Sequence, residues 1–184
     1  MKRVLITGGA GFIAHHLINY LLKKTDWDII SLDRLDYSGN LNRLENILSN
    51  CSQKEKSRVK IVFHDLKSEI NPWIRKELGR IDIILHLAAG SHVDRSIDFP
   101  MEFVLDNVVG TANILDYARY LKDEKNFMLT YGDGLSNQNL NNLLTFHLKH
   151  KKIATMTVVR PPVRFGEVIM KKNRITHFEE KPQV

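Results

Sequence analysis

The sequence predicts a doubly wound α/β fold: a parallel sheet of about six strands with helices on both faces, and a C-terminal β-hairpin. Short apolar runs alternate with amphipathic stretches along most of the 184 residues, the pattern of parallel strands joined by crossover helices. A glycine-rich turn follows the first apolar run and an acid closes the second. Together these features favour a ligand crevice at the carboxyl ends of the strands.

The apolar run RVLIT (3–7) reads as a buried strand. FIAHHLINYLLKK (12–24) follows with Ile13, Leu17, Tyr20, Leu21 and the stem of Lys24 at helical spacing. DIISLD (28–33) is the second strand, and SGNLNRLENILSN (38–50) a loop leading into a short helix. QKEKSR (53–58) reads as a polar surface loop before the third strand, VKIVFHD (59–65). A helix is expected over 68–78 and a fourth strand over 81–89.

A long helix runs from Pro100, a first-turn proline, to about Leu121, with Met101, Val104, Leu105, Val108, Ala112 and Leu115 in period. FMLTYG (127–132) is a fifth strand, and NQNLNNLLTFHLKHKK (137–152) a helix with Ser136 as its N-cap. IATMTVVR (153–160) is a sixth strand. The tail turns as a hairpin at Lys172-Asn173. Residues 1–184 then form one domain, in which 126–184 supply the strand–helix–strand that completes a sheet begun by 1–121.

A hydrophobic fraction of 43% with 26% charged residues is ordinary for a folded globular chain. No apolar run reaches the roughly 18 residues of a membrane span, and the single cysteine, Cys51, excludes an internal disulfide framework. A cytoplasmic setting is expected. The net charge is +6, but Lys and Arg are scattered among acids with only short clusters such as HLKHKK. A solvated basic surface is expected, without nucleic-acid or membrane partners.

TGGAGFIA (7–14) joins the first strand to the first helix. Gly8 permits the sharp turn and Gly11 lets backbone approach a pyrophosphate at the helix N-terminus, where unpaired N–H groups favour negative charge. Ala14, at the third glycine position, is small enough for helix–sheet packing. Asp33 ends the next strand, placed to accept hydrogen bonds from an adenosine ribose. That carboxylate would repel a 2′-phosphate and favours NAD over NADP, a preference that Arg34 blurs. The constellation is that of a Rossmann dinucleotide site.

MKRVLITGGAGFIA, LDRLDYSGNLNRL, FHDL, HLAAGSHVDRSID and DNVVGTANILDYAR together resemble the extended short-chain dehydrogenase/reductases. The closest resemblance is to the dTDP-glucose 4,6-dehydratases, over residues 1 to about 121. The resemblance implies NAD as cofactor. It sets Phe12 and Ile13 by the pyrophosphate, and Asp33, Arg34, Leu35 and Asp36 by the adenosine ribose. Asp65 and Leu66 would flank adenine, and Leu87, Ala88, Ala89 and Ser91 would line the nicotinamide side, with Asn107 nearby. His92, Asp94 and Arg95 lie beyond the fourth strand, where substrate would sit. The long helix corresponds to one that mediates dimers in that family, so a homodimer is expected. Three positions depart from the pattern: Ala14 replaces a glycine, Gly90 an acid and Asp106 a threonine. An unpaired carboxylate at 106 would weaken cofactor binding.

The family's Tyr-x-x-x-Lys pair belongs on the helix after the fifth strand, where the lysine lowers the tyrosine pKa. Here that helix has no tyrosine. The spacing occurs only at Tyr20 and Lys24 on the first helix, a chance match. The chain also ends before the segment expected to hold a nucleotide sugar.

Residues 126–183 instead resemble sugar-1-phosphate nucleotidyltransferases, the glucose-1-phosphate cytidylyltransferases above all, through TYGDG, VRPPVRFGE and FEEKP. By that resemblance Asp133 would help hold magnesium, and Glu180 and Lys181 would contact a sugar phosphate. One carboxylate makes a weak metal site, and the family's triphosphate loop is absent, so Asp133 stands as a catalytic candidate without partners.

Among the eight histidines, adjacent His15 and His16 diverge, and His147 and His150 lack an acid or cysteine, so no metal site is expected. Trp27 and Trp73 read as packing residues, not stacking platforms. The leading expectation is an NAD-binding protein of nucleotide-sugar metabolism, taking a dTDP- or CDP-hexose, that lacks its own catalytic pair. Alternatives are an enzyme with a rebuilt or shared site, and a non-catalytic structural or truncated fusion product.

Overall fold

The first strand, β1 (Arg3–Thr7), is buried almost throughout and hydrogen-bonds to a parallel neighbour on each side. The neighbours are β2 (Asp28–Asp33) and β4 (Ile83–His86), and β3 (Val59–Phe63) lies outside β2, giving the order β3-β2-β1-β4. The computed structural model describes residues 2–36, 38–121, 139–152, 155–157, 167–171 and 174–179. The chain divides into two units, 1–128 and 129–184.

Alternation along β1 sends successive side chains to opposite faces. Val4, Ile6 and Ile29 pack with Ile18, Leu21 and Leu22 of α1 (Ala14–Lys24) and Leu44 of α2 (Leu41–Ser49). Leu5, Ile30 and Leu32 pack with Ile74 and Leu78 of α4 (Pro72–Leu78) and with Ile114 and Tyr117 of α7 (Gly110–Tyr120). Helices therefore cover both faces, and the near-continuous apolar character of the central strands is the consequence. Each fully buried Leu or Ile contributes about 1.5–3 kcal/mol.

Helix starts obey local chemistry. Asn40 accepts from the Asn42 N–H to begin α2, and Asn71 accepts from Trp73 and Ile74 with Pro72 in the first turn of α4. QKEKSR, expected as a loop, holds a short helix α3 (Gln53–Lys56). Ser52 and Glu55 form a reciprocal capping box that satisfies two of its free amide donors. Arg58 then donates to the Leu22, Thr25 and Trp27 carbonyls at the end of α1.

The long helix expected over 100–121 is interrupted. A short α5 (Val93–Asp98) precedes it; α6 (Pro100–Val104) leads into one π turn (Leu105–Val109) before α7. The expected apolar stripe does not face the core on either side of the π turn. Met101, Val104, Leu105, Val108 and Leu115 are exposed, whereas Gly110, Ile114 and Tyr117 are buried. Trp73, expected as a packing residue, is 69% exposed because Ile74 and Leu78 occupy the buried face of α4.

The parallel sheet has four strands among the described residues, against about six expected. The expected fifth strand (127–132) lies outside the described residues, and so does Ser136. Of the expected sixth strand (153–160) only 155–157 are described, and they are not in a strand. In the second unit α8 (Leu140–His150) is capped by Asn139, which accepts from Asn141 and Asn142. The C-terminal hairpin is present: β5 (Glu167–Lys171) and β6 (Arg174–Glu179) pair antiparallel, with Lys171 opposite Arg174 and an irregularity between Ile169 and Met170. Among the described residues no helix is long and apolar enough to cross a membrane.

Neighbours on α7 provide the test of this packing. Ile114→Ala is expected to cost about 2–5 kcal/mol by cavity formation, and Leu115→Ala within about 0.5 kcal/mol, measured by urea unfolding. Equal losses would contradict the assigned face.

Candidate functional site

The order of the sheet reverses at β1, since β2 and β3 lie to one side and β4 to the other. The loops leaving β1 and β4 diverge there and open a crevice, the usual ligand position in such sheets. Gly8 makes the turn with φ of +68°, and a Cβ on it would meet Ala88 backbone at 2.9 Å. Its N–H donates to the Leu32 carbonyl (2.8 Å) and its own carbonyl accepts from the Gly11 N–H (2.8 Å). Gly9 is needed for a different reason: a Cβ there would overlap the Ser31 hydroxyl.

Asp33, at the end of β2, fastens the loop. Its carboxylate accepts from the Ala10 N–H (3.0 Å) and the Leu35 N–H (2.8 Å). Leu35 itself adopts a left-handed φ of 58°, uncommon outside glycine. Asn40 N–H and the Arg43 guanidinium donate to the Ala10 carbonyl, tying the start of α2 to the same loop.

Across the crevice, the Thr7 hydroxyl accepts from the Leu87 and Ala88 N–H groups (3.1 and 3.2 Å). With both lone pairs used, its proton goes to His86 Nδ1 at 2.7 Å. His86 is then the neutral Nε2–H tautomer, donating to the Thr111 hydroxyl (3.0 Å), which donates to the Asn107 carbonyl (2.6 Å). Burial holds the His86 imidazole below its ordinary pKa of 6.5. Asn107 closes the loop after β4 with two bonds, accepting from the Gly90 N–H and donating to the Gly90 carbonyl. Asn113 donates to the Leu66 carbonyl from α7.

The outer rim is densely charged. Arg34 pairs with both carboxylate oxygens of Asp106 (2.5 and 2.8 Å) and, through Nε and Nη2, with Asp36. Asp65 lies 3.6 Å from Arg34 and from Lys67. The Asp106 hydrogen bond, foremost among several, pushes the Arg34 pKa further up. Burial opposes ionisation of Asp36, but bonds from Ser38 and Arg34 outweigh it and hold its carboxyl at about 2.

One cleft gathers Gly8, Gly11, Asp33, Arg34, Asp36, Asp65, Leu66, Leu87, Ala88 and Ala89 from the residues read out of the sequence, with Gly90 and Asp106 beside them. Leu35 and Arg95 border a wider opening next to Arg34. Phe12 and Ile13 sit at the start of α1, exposed, while Ser91, His92 and Asp94 lie on the exposed loop and first turn beyond β4. Asp133, Glu180 and Lys181 lie outside the described residues.

The departures at 14, 90 and 106 have physical accounts. Ala14 is buried against the sheet, and a Cβ at Gly90 would press on the Phe103 ring at 3.0 Å. Asp106, where an unpaired charge was the concern, is bidentately paired. No local pattern signals the Thr7–His86–Thr111 chain, because its members are far apart in the sequence.

Tyr20 and Lys24 are exposed on the last turns of α1, at the opposite end from the glycine turn. The His15 and His16 rings do not diverge as expected; their centroids are 4.0 Å apart. His15 Nδ1 is nevertheless committed to the Gly11 carbonyl, and His147 and His150 bond separately to Thr155 and to the Phe146 carbonyl. No group of three potential metal ligands occurs among the described residues.

A family model described as GDP-mannose 4,6 dehydratase matches residues 5–132. A dTDP-D-glucose 4,6-dehydratase of Dictyostelium discoideum is 37% identical over 164 residues, covering 85% of this chain and 36% of that protein. The human dTDP-D-glucose 4,6-dehydratase is 40% identical over 125 residues, 67% of this chain and 34% of the other. The chain thus spans about a third of the length of these curated relatives. Among solved structures, a dTDP-glucose 4,6-dehydratase of Streptomyces venezuelae with NAD and TYD bound superposes with TM-score 0.57 at 35% identity, covering 66% of this chain and 37% of that one. A UDP-glucose 4-epimerase of Bifidobacterium longum in complex with NAD+ and UDP gives TM-score 0.54 at 31% identity, covering 66% and 34%.

Two tests probe the site's construction. Gly9→Ala is expected to cost about 1–3 kcal/mol by overpacking, with partial recovery in Gly9→Ala/Ser31→Gly, read by thermal melting. His86 adds a pH dependence. Its folded pKa lies below the unfolded value near 6.5, so as pH falls through that value the unfolded chain takes up a proton the folded one refuses. Stability contributed above pH 6.5 is lost progressively below it. The melting temperature should fall between pH 7.5 and 5.5 in the wild type, and fall less in His86→Asn.

Proposed function

Because the chain belongs to the GDP-mannose 4,6 dehydratase family, we propose that residues 1–121 bind NAD in the cleft at the carboxyl ends of β1, β2 and β4. The observation that carries this reading is the loop geometry: Gly8 packed against Ala88 backbone, with the Asp33 carboxylate holding the Ala10 amide. A Cβ at 8 would meet Ala88 backbone at 2.9 Å and one at 11 the Gly8 carbonyl at 2.8 Å, so the turn closes this tightly only with glycine, and the residues present fit a dinucleotide. Gly8, Gly11 and the start of α1 would take the pyrophosphate, and Asp33 with Asp36 the adenosine ribose. Leu66 and Asp65 would flank adenine, and Leu87 to Ala89 would lie by the nicotinamide. Bound NAD supplies hydride acceptance and return. Residues His92, Asp94 and Arg95 are the candidates for contact with a nucleotide sugar.

On this reading the chain serves nucleotide-sugar metabolism without a catalytic pair of its own. Its one Tyr-x-x-x-Lys spacing, Tyr20 to Lys24, is at the wrong end of α1, and the helix Leu140–His150 carries no tyrosine. The motifs of 126–183 support a cytidylyltransferase-like origin for that segment, and Asp133 is the residue an active, rebuilt site would draw on. The exposed stripe of Met101, Val104, Val108 and Leu115 supports a second copy of the chain as partner.

Calorimetry tests the main reading. The wild type is expected to bind NAD at one site per chain, and Asp33→Ala to bind at least roughly tenfold more weakly, about 1.4 kcal/mol. No heat from a folded wild type would defeat it. Turnover of dTDP-glucose or CDP-glucose by the chain alone would defeat the absence of autonomous catalysis.

A further inference from the structure

Arg34 is the residue that makes cofactor choice ambiguous, since an arginine beside the ribose-binding acid can accept a 2′-phosphate. The structure accounts for nearly all of its donors. Nη1 donates to Asp106 Oδ1, Nη2 to Asp106 Oδ2 and to Asp36, and Nε to Asp36 again. Asp65 lies a further 3.6 Å from Nη1. A guanidinium has five N–H donors in a fixed fork, so little remains to offer a ligand. Lys67, the other cation of this rim, lies near the same carboxylates, Asp65 and Asp106. Asp33, Asp36, Asp65 and Asp106 thus outnumber Arg34 and Lys67 around one cleft.

Asp106 stands in the π turn. Asp106 and Asn107 are consecutive, yet one reaches Arg34 and the other Gly90, both at the cleft. A carboxylate at 106 completes the neutralisation of Arg34, where Asp36 alone would leave half of the fork free.

We propose that Asp106 is a cofactor-specificity residue: by holding Arg34 in a bidentate ion pair it denies that arginine to a 2′-phosphate, and the site selects NAD over NADP. This rests on the NAD reading above. Asp106 positions Arg34 and need not touch the cofactor. Removing it withdraws one negative charge from the rim and frees two guanidinium N–H groups suited to a phosphate.

The test is calorimetric titration of the full chain with NAD and with NADP, beside thermal melts. Asp106→Ala is expected to raise the ratio of NADP to NAD affinity roughly tenfold or more. Arg34→Ala in the Asp106→Ala background should abolish the gain. A folded, NAD-binding Asp106→Ala chain with an unchanged NADP-to-NAD ratio overturns the proposal, as does a gain that survives removal of Arg34. Asp106→Asn removes the charge with the shape retained and replaces the alanine variant if that does not fold. A wild type that binds neither dinucleotide defeats the NAD reading itself, an outcome distinct from binding without discrimination.

Discussion

The Thr7 hydroxyl is the hinge of the site. It stands at the end of the central strand, where the sheet order reverses and two loops must part. By accepting two amide protons from the β4 loop it holds that loop against the glycine turn; by giving its own proton to His86 it fixes the imidazole tautomer. From there the chain of bonds runs through Thr111 to Asn107 and, through the Asn107 side chain, to Gly90. Every donor in this path has one acceptor, so a single arrangement of the crevice wall satisfies all of them. A crevice opened at a switch point exposes backbone that no neighbouring strand can pair. The hydroxyl–imidazole–hydroxyl path supplies those partners while leaving the space between the loops open.

The opposite wall is organised by charge. Asp33 is used inward, on backbone amides, and therefore serves the shape of the phosphate loop as well as any ligand. Asp36, Asp65 and Asp106 are used on Arg34 and Lys67. A half-buried arginine surrounded in this way is a structural cross-link between β2 and the π turn. The net result is a rim that is well paired internally and still acidic in balance, an environment more hospitable to ribose hydroxyls than to an additional phosphate.

Much of this is legible in the sequence alone. The four strands of the parallel sheet, the glycine turn and Asp33 come from apolar runs and short-range spacing, which the fold respects; Asp65, Leu66 and Leu87 to Ala89 are singled out by the family resemblance, and the fold brings them to one cleft. The C-terminal hairpin is legible too, with Lys171 opposite Arg174, while the turn expected at Lys172-Asn173 lies outside the described residues. The buried face of α7 is not. The apolar stripe from Met101 to Leu115 reads as the core face, yet it is exposed before and after the π turn, and Gly110, Ile114 and Tyr117 are buried instead. Trp73 misleads for a related reason, since size alone does not place a side chain on the packed face of a short helix.

The order of elements, the strand–turn–helix phosphate loop and the acid that ends β2 are properties of local sequence, because each depends on residues within a few positions of one another. The tautomer of His86, the pairing of Asp106 with Arg34 and the outward turn of the apolar stripe are not. His86 meets Thr7 and Arg34 meets Asp106 across more than seventy residues of chain. Whether Asp106 stands as a buried, unpaired charge or as half of an ion pair is decided by which strand end faces the π turn. Only the folded sheet brings those two together, and there the departure expected to weaken the site becomes part of its wall.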